Sequence, residues 1–284
     1  MFSRYMPFAV LLTAGILLAG CVTQVPVHEA FPPTARDSVA STEVVVPIKQ
    51  GEIYVFVPDS QVAAAGGGGL LLALVDVGVN SVRTSKAEAA VRPLRDAVVD
   101  FNFDDTLKSE LKTSLSFDPW LHVDGVRVIK EATNASEDTA LAAAKASAVL
   151  FTTADYQLSN DAQELTITLS AALFANNDTL LAARPRAKSG PRSALGNSLY
   201  HNTLMFTMEV PSPSQDRDHN IASWSAQNGA VMRGALKLGA RKLAAMLASD
   251  LQGPDADAAF KNDADGTLDR LGDGRLHFAA RTAS

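Results

Sequence analysis

Ser109 and Lys112 stand three residues apart, the spacing at which a lysine amine can activate a serine hydroxyl for acyl transfer. Lys112-Thr113-Ser114 overlaps them and resembles the second motif of such sites, which has to come from a separate element facing the same cleft. Both fall on one predicted helix with no Ser-Asp-Asn between, so they read as a solvated helix face. The five histidines, His28, His122, His201, His219 and His277, are dispersed, and none has the paired spacing of a metal-binding helix. Asp216, Asp218 and His219 offer metal-ligand chemistry, but a helix N-terminus attracts the same acidic residues through its dipole. Asp263 and Asp265 precede Gly266 as in a calcium loop, yet Lys261 takes the first liganding position. Asp124, Glu131 and Glu209 have the chemistry of paired glycosidic acids and no spacing that joins them. No catalytic residue, metal or cofactor is therefore expected.

Anion binding has more material. The four glycines 66–69 precede a predicted helix, where backbone amides can cradle phosphate, but no lysine follows in the phosphate-loop position and no G-x-G-x-x-G spacing is present. They read as a tight connection that permits close packing. The apolar stretch from Val62 to Val75 is short for a membrane span and meets Asp76, so it reads as a buried helix. Arg184, Arg186, Lys188 and Arg192 crowd one long loop and are the candidate anion contacts, because guanidinium groups suit phosphate. Arg233, Lys237 and Arg241 lie on a helix side opposite its apolar stripe and read as a solvated face.

The one cysteine, Cys21, sits directly behind an apolar run from Pro7 to Leu18 that is preceded by Arg4. A membrane-spanning helix needs about 20 apolar residues, so residues 1–20 read as a secretory signal peptide. With Cys21 the sole sulfur of its kind, no disulfide can form within the chain, and a packed core must supply stability.

Leu18-Ala19-Gly20-Cys21 resembles the lipobox of bacterial lipoproteins. The resemblance implies cleavage before Cys21 and acylation of its sulfur and new amino group, with more than one acyl chain giving a stable anchor. In the same family an Asp after the cysteine retains the product in the inner membrane. Val22 stands there, which implies the outer membrane and a domain facing the periplasm.

Hydrophobic residues make up 47% and charged residues 20%, values of a folded protein. The net charge of −6, or −7 without Arg4, disfavours a nucleic-acid partner. Residues 21–43, with Pro26, Pro32 and Pro33 and little periodicity, are expected to be a flexible tether. As a coil of about 20 residues it would span roughly 25 Å, and roughly 65 Å when stretched.

The elements that position these residues follow from periodicity. Glu43 to Pro58 gives two β-branched runs around Gln50-Gly51, an N-terminal hairpin whose Pro47 marks an edge strand. A helix is expected from near Gly69, interrupted near Pro93. Leu107, Leu111 and Leu115 predict a second helix behind Asp104 and Asp105. A strand over Trp120 to Lys130 and an alanine-rich helix from Ser136 to Ser147 come next. Ala148–Asp161 and Gln163–Asn177 are two long strands around Asn160-Asp161-Ala162. Leu199 to Pro211 gives another strand, and a long helix after Asp216 presents Met232, Leu236, Gly239, Leu243 and Met246 on one face. Asp273-Gly274 closes a C-terminal hairpin in the tail 253–284. The fold class is α/β in the mixed α+β sense, one mixed sheet covered by helices over residues 44–252.

This order of elements, with the LAGC site and the alanine-rich helix feeding the paired long strands, resembles the periplasmic α/β domains of bacterial envelope assembly and secretion lipoproteins. That group includes relatives of the curli secretion channel lipoprotein. The resemblance implies a non-catalytic accessory or assembly factor of the envelope that binds a protein partner or itself. Anionic lipid or glycolipid binding through the basic loop is the alternative, and a cell-wall or glycan-acting enzyme the further one.

Overall fold

A computed structural model of the chain describes residues 27–48, 50, 53–55, 81–130, 134–184 and 192–281. Cys21, the glycines 66–69, the segment Val62 to Val75, Glu131, Arg186 and Lys188 lie outside the described residues.

The centre of the molecule is a mixed sheet built from β1 (Thr42–Ile48), β2 (Tyr54–Val55), β3 (Val123–Lys130), β4 (Ala148–Leu158), β5 (Glu164–Ala175), β6 (Tyr200–Glu209), β7 (Gly266–Arg270) and β8 (Leu276–Ala280). Their order is β3-β1-β4-β5-β6-β8-β7, with β2 beside β4. Helices α1 (Ser81–Val98), α2 (Phe103–Leu115) and α5 (Arg217–Gln252) are separated from α3 (Asn134–Ala143) by the sheet, and α4 (Asp178–Ala182) follows β5. The mixed sheet covered by helices is thus the architecture the periodicity implied.

Side chains alternate across the two long central strands as a pleated sheet requires. Leu165, Ile167, Leu169 and Leu173 of β5 join the large core under α2 and α5, while Ala172 and Phe174 join a smaller one with Ala140 and Leu141 of α3. Leu107, Leu111 and Leu115 are all fully buried, one turn apart on α2. On α5, Met232, Leu236, Leu243 and Met246 are buried as their spacing implied. Gly239 sets the distance between that helix and the sheet, since a Cβ there would lie 2.4 Å from Ile167 Cδ1 and 3.0 Å from Phe206 Cδ1.

Several expectations need correction. The N-terminal hairpin does not exist: β1 runs parallel to β3 on one side and β4 on the other, and β2 pairs with β4 rather than with β1. Pro47 therefore does not mark an edge. Pairing of β1 with β4 ends at Val45, so the residue lacking an N–H falls where the two strands have already parted. The run Val44-Val45-Val46 is buried on both faces, as parallel strands are. Pro93 does not interrupt α1. It sits on an exposed face, and Ala89, whose carbonyl loses its partner, is itself an exposed residue. The long helix α5 is broken instead, at Ala226–Gly229, where Gln227, Asn228 and Gly229 take φ of 53°, 58° and 74°.

The flexible tether of residues 21–43 is corrected over its described part. Glu29 and His201 exchange backbone hydrogen bonds of 2.9 and 3.1 Å. Phe31 stacks on Trp120 at 4.6 Å, Pro33–Ser38 forms a 3-10 turn, and Ala35 and Val39 are buried. Aromatic and aliphatic residues scattered among prolines give no periodicity, yet Phe31, Ala35 and Val39 all join the large core. The C-terminal hairpin is present as β7 and β8, and β8 pairs parallel to β6 within the main sheet.

Candidate functional site

The strand starts of β1, β4, β6 and β8 and the ends of β5 and β7 meet at one end of the sheet. The end of α5 arrives at the same place and brings Asp250, whose side chain is 1% exposed. Its Oδ2 accepts from Tyr200 Oη at 2.8 Å and Asn202 Nδ2 at 2.7 Å, and its Oδ1 accepts from Arg270 Nη1 at 2.7 Å. His28 Nε2 lies 3.7 Å from the same carboxylate. Arg270 also holds Asp257 through Nε and Nη2 at 2.9 and 3.1 Å, and Ser249 donates to Asp257. Burial, then the charge of Asp250, pushes the Tyr200 phenol well above its ordinary value, so it stays a donor.

The backbone closes around this cluster. Gly274 in the β7–β8 turn has φ of 90°, and a Cβ there would lie 2.4 Å from His28 Nδ1. Its carbonyl accepts from Asn202 and Arg270. Arg36 Nη2 donates to the last carbonyls of α5, those of Leu251 and Gln252, at 3.1 and 2.8 Å. Its guanidinium lies 5.4 Å above the Trp120 ring. Near it, both carboxylate oxygens of buried Asp118 and the Trp120 Nε1 lack a hydrogen-bond partner. Burial raises the Asp118 pKa against the lowering influence of Trp120 and Arg36.

Such an arrangement fastens strands, helix end and N-terminal segment together. Asp250 accepts from three donors, and His28 Nε2 beside it, 3.7 Å away, makes no hydrogen bond. Ser198 Oγ lies 2.9 Å from His201 Nδ1, both buried, and also donates to Leu195 O at 2.7 Å. That pair shapes the turn before β6. The cluster went unseen in the sequence because its members lie in five separate segments. The one local signal was an ionisable residue, Asp250, on the inner side of an otherwise apolar helix end.

The sequence-selected residues fall as follows. Ser109 and Lys112 are exposed on α2. Asp216 caps α5 by accepting from Asp218 N, and Asp218 and His219 are exposed. Asp263 and Asp265 pair with Lys242. Asp124 and Glu209 lie on β3 and β6, with three strands between them and at opposite sheet ends. Among the described residues no group of three His, Cys, Asp or Glu side chains is placed to hold a metal ion. Arg233, Lys237 and Arg241 are engaged rather than simply solvated: Arg233 donates to Ala97 O, Lys237 lies 5.9 Å over Phe101, and Arg241 pairs with Asp265.

The basic loop leaves and rejoins the fold at the same sheet end as the Asp250 cluster. Arg184 Nε donates to Leu181 O, and Arg192 Nη2 donates to Asn176 Oδ1 at 3.1 Å. A separate cleft of about 610 Å³ lies between α1 and α5. Its charges are partly self-paired, since Arg95 binds both oxygens of Glu88 and donates to Ile53 O.

No protein-family model matches the chain, and no curated protein matches it. Two solved structures are similar to it at low level, the PelC dodecamer from Paraburkholderia phytofirmans and a single-substitution form of it. Each is 14% identical, with 80% of this chain and 96% of that chain covered and a TM-score of 0.30. A likeness of that size carries no argument about fold or function.

Proposed function

We propose that the protein is a lipid-anchored lipoprotein of the outer membrane whose periplasmic domain is a non-catalytic binding or assembly factor of the cell envelope. The observation that carries this reading is Leu18-Ala19-Gly20-Cys21 behind a short apolar run, in a chain with no other cysteine. The docking of the chain from His28 onward supports it, because an anchored N-terminus then leads straight into a rigid domain. Asp250 is held by Tyr200, Asn202 and Arg270, a fastening of the sheet end that suits a binding domain. Purification from gently solubilised membranes, with the mass of the intact assembly, tests the reading. A stoichiometric envelope partner or a homo-oligomer agrees with it, and a lone monomer with turnover on cell-wall polymers overturns it.

A further inference from the structure

Among the described residues the strand order ends at β3 on one side and at β7 on the other, and the two ends are built differently. β3 carries exposed Asp124, Arg127 and Lys130, and its pairing with β1 is irregular between Thr42 and Glu43. Charge and irregularity of this kind keep an edge from adding a further strand. β7 reads Gly-Thr-Leu-Asp-Arg, with no lysine, no proline and an unbroken register against β8. Its one cation, Arg270, is turned onto Asp250 and Asp257.

The hydrogen bonds of the hairpin fix which backbone groups of β7 face outward. Leu271 N donates to Arg275 O at 2.8 Å and Arg281 N donates to Asp265 O at 2.7 Å, at the two ends of the pairing. Bonded and unbonded pairs alternate along an antiparallel ladder. In the register Thr267–Ala279 and Asp269–His277, the odd-numbered residues of β7 therefore bond to β8. The N–H and C=O groups of Gly266, Leu268 and Arg270 point the other way, and among the described residues no backbone partner meets them.

This edge is complementary to itself. About a two-fold axis at Leu268, antiparallel pairing of two copies sets Leu268 against Leu268 and Gly266 against Arg270 as bonded pairs, each exchanging two hydrogen bonds. Thr267 and Asp269, both exposed, then face one another as close unbonded pairs, the hydroxyl donating to the carboxylate. No like charges stand directly opposite. Leu268 is half-buried on the large core, opposite Phe278, and its copy extends that apolar layer across the axis.

We infer that β7 pairs antiparallel with β7 of a second copy about Leu268, joining two sheets edge to edge in a two-fold dimer. The inference rests on the folded domain and goes beyond the lipoprotein reading, because it needs no anchor. β7 has 5 residues, so the contact is small and of the transient class.

The test uses the full-length protein, solubilised from membranes in mild detergent and followed by sedimentation velocity over a concentration series. A dimer that dissociates on dilution is expected, and a monomer at every concentration overturns the inference. Leu268→Pro removes an N–H that β8 does not use and should raise the dimer dissociation constant about tenfold, the loss of two symmetric hydrogen bonds. Its far-ultraviolet circular dichroism should stay unchanged. Leu268→Ala trims the same side chain but keeps the N–H, so it should weaken the dimer less. Equal effects of the two, or none, overturn the backbone pairing. Thr267→Cys and Asp269→Cys test the register, since Cα atoms of an unbonded pair lie about 4.5 Å apart, within reach of a disulfide. Mixed and oxidised, these two variants should give a link between positions 267 and 269 in peptide maps, in higher yield than either gives alone; a dimer without that link overturns the pairing. An acylated monomer refutes the pairing alone, whereas a dimer with unmodified Cys21 refutes the anchor alone.

Discussion

Replacing Asp250 by Ala should be among the most damaging single changes in the protein. The carboxylate is 1% exposed and accepts from Tyr200, Asn202 and Arg270. Hydrogen bonds to a charged group contribute about 1.5–3 kcal/mol each. Removing one partner of a buried ion pair costs about 3–5 kcal/mol. Arg270 is a quarter exposed and retains Asp257, which moves the cost to the lower end of that range. We expect about 3 kcal/mol, or a fall in Tm of roughly 6–12 °C for a domain of this size. Circular dichroism during thermal and urea unfolding measures it. Asp250→Asn, which keeps the shape and loses the charge, should cost less than Asp250→Ala. A double-mutant cycle with Arg270→Met isolates the pair, and its coupling energy should be at least about 1 kcal/mol. A change below about 1 kcal/mol for Asp250→Ala would refute the view that this cluster fastens the sheet end.

Other outcomes follow from the same geometry. Gly239→Ala forces a Cβ against Ile167 and Phe206 and should cost about 1–3 kcal/mol. Gly234→Ala, on the exposed side of the same helix with open space around it, should stabilise by about 1 kcal/mol. Thermal melts of the two variants check both signs. Burial raises the Asp118 pKa above 3.8, so the folded state holds this proton more tightly than the unfolded state does. Its stabilising contribution is complete below 3.8 and is lost as pH rises through the folded-state pKa. Asp118→Asn should therefore raise Tm at pH 7, with the gain shrinking toward pH 3; an equal gain at both pH values would contradict this. Cys21→Ser should release the protein from the membrane fraction into the soluble one, followed by immunoblot of fractionated cells.

The sequence made the sheet legible where local signals were strong. Alternating apolar residues in β4 and β5, the Leu107-Leu111-Leu115 ladder and the α5 stripe all depend on periods of 2 or 3.6 residues, and all are present. Strand neighbours were not legible in the same way. The Gln50-Gly51 pair suggested a hairpin, while the unbroken Val44-Val45-Val46 run already pointed to a strand buried on both faces, and that signal was the truer one. The break in α5 was written as Gln227-Asn228-Gly229, residues of which Asn and Gly tolerate left-handed backbone. Within the candidate site, the basic loop was visible as composition. Its position beside the N-terminal entry was not, because that depends on β5 and β6 being antiparallel neighbours. The Asp250 cluster depends on contacts between His28, Tyr200, Asn202 and Arg270 that no spacing encodes.

The structural role of the first described segment changes how an anchor would act. A long coil would let the domain sample a wide volume of periplasm. Were Cys21 the anchor, only the residues between it and His28 would link the docked segment to the membrane, and partners would meet the domain close to the bilayer. Among the described residues the strand order ends at β3 and β7, and β1 with Pro47 lies inside it. Strand addition by a partner, if it occurs, has those two edges to use.

The most direct measurement of the account is the intact mass of the protein extracted from membranes, with fragmentation of its N-terminal peptide. The account predicts a chain that begins at Cys21 and carries acyl groups on its sulfur and amino group. A chain that retains residues 1–20, or one that ends its signal elsewhere and leaves Cys21 unmodified, would contradict it.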